Sequence, residues 1–112
     1  MMDATLSEFQ TLHSEAMDLA ELAMLERSEG NHPRARTLNA EAFAKERQAA
    51  ELIQDRTDLE PTRSVLLRSA ASLALECGEA ATARQLIERG LSGNPPMEIA
   101  DELRVLLKTA QA

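Results

Sequence analysis

Tryptophan and tyrosine are absent from this sequence, and Phe9 and Phe43 are its only aromatic residues. A β-sandwich would want Val, Ile, Thr and aromatic side chains in its strands. Alanine and leucine supply most of the apolar content instead, a mix that favours helices in close contact. Cysteine is nearly absent too. Cys77 stands alone, so no internal disulfide can form, and a reducing, cytoplasmic setting is expected. No apolar run approaches the roughly 20 residues that span a bilayer. The chain opens on a polar, helix-like pattern with no apolar signal segment, so no membrane association is expected.

Positive charge is the scarcer sign: 12 Lys and Arg stand against 19 Asp and Glu, a net charge of −7. Residues 1–60 carry 13 acidic and 6 basic side chains, while residues 61–112 carry 6 of each, so the whole excess sits in the first half. An acidic surface repels phosphate backbones, and nucleic-acid binding through a basic patch is not expected. The acids read either as solvated helix faces or as a docking face for a basic partner. On helix 1, Asp3, Glu8, Glu15, Asp18, Glu21, Glu26 and Glu29 oppose only Arg27.

What is present is helical periodicity. The 112 residues fit one domain. Four turn signals divide them: Gly30-Asn31-His32-Pro33, Asp58-Leu59-Glu60-Pro61, Gly78, and Gly93-Asn94-Pro95-Pro96. Between these, apolar residues recur every three or four positions. Helix 1 is predicted over Thr5–Glu29, with Thr5-Leu6-Ser7-Glu8 as a capping box. Its stripe is Phe9, Leu12, Ala16, Leu19 and Ala23, widened by Leu22 and Leu25. Helix 2 is predicted from Pro33 to Arg56, with Ala35, Leu38, Ala42, Ala49, Leu52 and Ile53 inward. Helix 3 spans Pro61–Cys77 and is apolar almost all round, through Val65, Leu66, Leu67, Ala70, Ala71, Leu73, Ala74 and Leu75. Such a helix belongs at the centre. Helix 4 spans Glu79–Leu91, with Ala83, Leu86, Ile87 and Leu91 inward. Helix 5 runs from Pro95 or Pro96 to about Ala110, capped by Asn94, with Ile99, Leu103, Leu106, Leu107 and Ala110 as its stripe. Short connections imply that sequential helices lie antiparallel. The fold class expected is therefore all-α, in about five helices.

Two helix–turn–helix units share a signature. Ala23 precedes Gly30 by seven residues and Ala35 follows it by five; Ala71 and Ala83 stand in the same relation to Gly78. The glycine makes the turn, and the small residues let the paired helices approach where they cross. The pattern resembles the tetratricopeptide repeat (TPR), in which large, small, Gly, Ala and Pro positions recur over about 34 residues. In the second unit Leu67 takes the usual Trp position, Ala71 the small one and Ala74 the usual Tyr position, and Ala83, Gly90 and Pro95 complete it. The first unit, from Ala16 onward, departs at Glu26 and Asn39, where an aromatic and a large apolar residue are usual. The two glycines are 48 residues apart, because helix 2 is long. The resemblance implies a TPR-like right-handed array of antiparallel pairs: a first pair over 5–56, a second over 61–91, and a capping helix over 95–110.

The resemblance also implies a non-enzymatic adaptor that binds a protein or peptide along the first helix of each pair. Carried over by position, the groove residues are Met17, Ala20, Met24, Arg27 and Ser28 on helix 1, with Val65, Arg68, Ser72, Leu75 and Glu76 on helix 3. Arg68 offers paired donors to a carboxylate, and the methionines an adaptable apolar contact. The Lys and Asn set of a carboxylate clamp for chaperone tails is absent. A homodimeric or other homo-oligomeric structural module is the alternative. A third reading takes Arg27 and His32, at Arg-x4-His spacing, as the pair of a HEPN-like helical ribonuclease. The same stretch holds one Glu-x-x-His, Glu29 to His32, where a di-iron bundle needs two. With His13 the only other histidine, no metal is expected, and no cofactor. Cys77, near a helix C-terminus, reads as an inert thiol.

Overall fold

A computed structural model describes residues 4–112, and among them it contains five α-helices, one short 3-10 helix and no strand. The helices are α1 (Ala4–Ser28), α2 (His32–Ile53), α3 (Thr62–Glu76), α4 (Ala80–Leu91) and α5 (Met97–Gln111); the 3-10 turn is Thr57–Leu59. No helix is long and apolar enough to cross a membrane among the described residues.

Both signature glycines have left-handed backbones, Gly30 at φ +85° and Gly78 at φ +76°. Neither has a neighbour where a Cβ would sit, so the conformation and not crowding calls for glycine. The two turns carry the same hydrogen bonds. Asn31 N–H donates to the Glu26 carbonyl at 2.8 Å and Gly30 N–H to that of Arg27 at 3.0 Å. At the second turn Glu79 N–H donates to Ala74 at 2.8 Å and Gly78 N–H to Leu75 at 3.1 Å. This is the double-bonded helix stop that satisfies the last free carbonyls of a helix. The small residues beside each turn are buried: Ala23 and Ala71 at 0% exposure, Ala35 at 2% and Ala83 at 0%.

The central position expected for the third helix is observed. α3 packs against α2, α4 and α5. Its Leu66, Leu67, Ala70, Ala71 and Ala74 join Phe9 of α1, Ala49, Ala50 and Ile53 of α2, Ala83, Leu86 and Ile87 of α4, and Leu103 and Ala110 of α5 in one apolar cluster. That cluster does not extend to Ala16, Ala23, Ala35, Leu38 and Ala42, which are nonetheless buried. They lie on α1 and α2, the most extensively packed pair of helices. α2 has 22 residues and α3 only 15, so α2 outruns α3 by about 10 Å.

Several expectations are corrected. Leu22 and Leu25 do not widen the inward stripe of α1; they are exposed, at 39% and 52%. That stretch of α1 presents one face to α2, and the leucines lie off it. Thr5 is inside α1, which already includes Ala4, so it is not the N-cap. Asn94 does not cap α5. Pro96 holds that position without a side-chain bond, and the Asn94 backbone N–H is instead drawn to Glu60 Oε2 at 3.2 Å. The other helix ends fall within a few residues of expectation, the largest difference being α2, which stops at Ile53; Arg63 takes up the carbonyl of Gln54 just beyond it.

Four buried polar residues, Asn39, Glu46, Arg63 and Ser64, break the alanine–leucine pattern. Arg63, 2% exposed, donates through Nε to the Gln54 carbonyl at 2.5 Å and through Nη2 to the Arg89 carbonyl at 2.6 Å, and pairs with Glu60 Oε2 at 3.3 Å. Glu60 in turn accepts from the backbone N–H of Ser64 at 3.0 Å. One guanidinium thus ties the C-terminal ends of α2 and α4 to the start of α3. Gly93 lies against it: a Cβ there would come within 2.5 Å of Arg63 Nη1. Because the guanidinium is held on three sides, it cannot swing away without breaking bonds. Gly93→Ala is expected to cost about 1–3 kcal/mol in chemical denaturation. The penalty should largely vanish in an Arg63→Met background, since the clash and the bonds share one group.

Glu46 is fully buried on α2, with His13 Nδ1 at 2.9 Å from Oε1 and 2.8 Å from Oε2. From the adjacent residue of α2, Lys45 Nζ reaches Glu15 at 2.6 Å.

Candidate partner-binding surface

Arg68 and Ser72 are one turn apart on α3 and face α5, which packs against α3. Arg68 Nη1 donates to Glu102 Oε2 at 2.5 Å. Beside this pair lie Val105 and Leu106, and together the five residues line an open cleft of about 350 Å³. Val105 is 63% exposed, an unusual position for a valine, and Leu106 is half-buried. The cleft therefore combines an apolar shelf with a cation whose present partner, Glu102, is itself half in solvent at 53%. Exposed ion pairs are weak, so an incoming carboxylate can replace Glu102 at little cost.

The structure brings together only part of the expected groove. Arg68 and Ser72 share the cleft with α5. Val65 is half-buried on α3 and Glu76 exposed near its end. Met17 and Ala20 are half-buried on α1, while Met24, at 66%, and Arg27 are exposed there. α1 and α3 are not among the extensively packed helix pairs, and none of the α1 residues lines the cleft. The residues missed by sequence were Glu102, Val105 and Leu106. Val105 was legible in one respect, as the apolar residue that falls outside the Leu103, Leu106, Leu107 and Ala110 stripe.

A second depression, about 600 Å³, lies between α2 and α4 and is lined by groups of both signs, including Arg47, Glu51, Glu88 and Arg89. Arg27 and His32 are both exposed, on either side of the Gly30 turn, and line none of these depressions. Glu29 is exposed at the same turn. Among the described residues no three His, Cys, Asp or Glu side chains gather as metal ligands do.

Burial pushes the Cys77 thiol up from its ordinary value, and Glu76 and Glu79 push it in the same direction. Less thiolate is then present at neutral pH. Alkylation by iodoacetamide is expected to be slower than for free cysteine, and to go on accelerating above about pH 9, where a free thiol levels off. A rate equal to that of free cysteine across this range would contradict the placement of the thiol.

Compared with protein-family models, with curated proteins and with solved structures, the chain matches none of them.

Proposed function

We propose that this protein is a non-enzymatic adaptor of TPR-like fold, acting in the cytoplasm, that holds a protein or peptide partner in the cleft between α3 and α5. The observation that carries the reading is the cleft itself: an exposed valine beside a replaceable arginine–glutamate pair on two packed helices.

The arrangement supports TPR-like pairing. His13 meets Glu46, Glu15 meets Lys45, and Glu26 meets Asn31 at the turn, the descending order that antiparallel helices give. Ala23, Ala35, Leu38 and Ala42 are buried around Gly30 as Ala71, Ala83, Leu86 and Gly90 are around Gly78. α3 packs on both α4 and α5, as the first helix of a pair packs on its mate and on the next unit. The molecule is 21 Å thick, about two helix diameters. α5 then stands where the first helix of a third unit would, which explains why the groove runs from α3 to α5.

Affinity capture with the tagged protein tests the reading when run beside an Arg68→Glu, Val105→Asp double variant. Both side chains reach solvent, so the fold should survive. At least one protein held by the parent is expected to be lost from the variant. A variant that keeps every partner would count strongly against the groove.

A further inference from the structure

The outward face of α1 is built differently from the cleft. Asp18, Leu22, Leu25 and Glu29 follow one another at helical spacing, with Glu21 one turn before Leu25. All five are exposed. Ala16 and Ala23 occupy the opposite side of the helix, buried against α2, so this stripe has no helix over it. Asp18, Glu21 and Glu29 make no ion pair or side-chain hydrogen bond among the described residues, unlike Glu15, which is held by Lys45, and Glu26, which is held by Asn31.

Two leucines bracketed by unpaired carboxylates specify their complement. We infer that this face binds a basic amphipathic helical segment of another protein, with two apolar side chains on Leu22 and Leu25 and flanking Lys or Arg side chains on Asp18, Glu21 and Glu29. Charge decides between occupants. A second copy of this chain would bring the same acids to the interface, and the negative excess of the molecule lies entirely in the half that contains α1. Anionic lipid headgroups and nucleic acid are repelled for the same reason. A basic helix is attracted at long range and then buries the leucines, so charge sets the encounter and apolar area the lifetime. This site lies apart from the α3–α5 cleft and does not depend on it.

Fluorescence anisotropy tests the inference with a labelled synthetic helical peptide carrying Leu pairs at three- and four-residue spacing and Lys elsewhere, and with a counterpart in which Glu replaces Lys. The Lys peptide is expected to bind the full chain and to weaken with rising salt, and the Glu peptide not to bind. Leu22→Ser with Leu25→Ser should weaken the Lys peptide by about tenfold or more. Asp18→Lys with Glu21→Lys should weaken it comparably, and Arg68→Glu should leave it unchanged. Because the altered side chains are exposed, thermal melts of the variants should stay close to the parent. Equal affinity for the Leu→Ser variant would overturn the inference by reducing binding to bulk charge. Loss in Arg68→Glu alone would overturn it by placing the peptide in the cleft. So would sedimentation of the parent as a dimer that Leu22→Ser and Leu25→Ser dissociate, since a second copy would then cover the face.

Discussion

Replacing Arg63 with methionine is expected to destabilise the protein by about 3–5 kcal/mol, the range for removing one member of a buried charge pair. The side chain is nearly isosteric along its stem, so the loss falls on the polar end. Three acceptors lose a donor at once: the Gln54 carbonyl, the Arg89 carbonyl, which keeps the Ser92 hydroxyl at 2.7 Å, and Oε2 of Glu60. Gln54 follows the last residue of α2, and Arg89 lies in the last turn of α4. Helix C-termini leave carbonyls unbonded and carry partial negative charge, so a cation shared between two of them is favoured twice. Glu60 keeps its bonds from the N–H groups of Ser64 and Asn94, which limits its share of the loss. Domains of this size have about 5–15 kcal/mol in total, so the variant should lose roughly a fifth of its stability or more. Arg63→Lys, which keeps the charge but cannot reach both carbonyls, should fall between. Urea denaturation of the three proteins measures this directly, and a loss under about 1 kcal/mol for Arg63→Met would show the latch to be dispensable.

The second large effect concerns His13. His13→Ala is expected to cost about 3 kcal/mol, because it leaves the fully buried Glu46 carboxyl group without its only hydrogen-bond partner among the described residues. The cost is one of abandonment, not of the bond itself. Glu46→Leu, which removes the buried polar group, should therefore be milder than His13→Ala, although it too strips His13 of a partner. The double variant His13→Leu with Glu46→Leu should recover most of the loss, since leucines suit the alanine-rich surroundings of Ala42, Ala49 and Ala50. Equal destabilisation by both single variants, with simple addition in the double, would contradict a partnership between them.

Both pairs show where the sequence stops being informative. The turns at Gly30 and Gly78 were legible because glycine alone suits the left-handed backbone there, and the alanines around them because close crossings need small side chains. The stripes of α2, α3 and α4 followed from spacing. Glu46 did not, although it sits one turn beyond Ala42 and one turn before Ala49 and Ala50, inside the stripe. Periodicity assigns polar residues outward, and only the presence of His13 across the helix pair makes the inward position tolerable. Arg63 escaped for the same reason. Its acceptors lie 9 and 26 residues away, and no local pattern announces them. Leu22 and Leu25 failed in the opposite sense: apolar spacing suggested burial, but among the described residues no helix covers that side of α1. The cleft was half legible. Position within the expected repeat singled out Arg68 and Ser72. Their neighbours on α5 depend on how α5 packs on α3, which the two glycines do not specify.

The most direct test of partner holding is hydrogen–deuterium exchange of the full chain, free and saturated with a captured partner. α5 is an edge helix, contacted by α3 and α4 alone among the extensively packed pairs, so its amides should open often enough to report binding. Slowed exchange over Glu102–Leu106 in the complex is the result expected for a partner seated against Arg68 and Val105. Unchanged exchange there, with protection confined to the polar depression between α2 and α4, would contradict it.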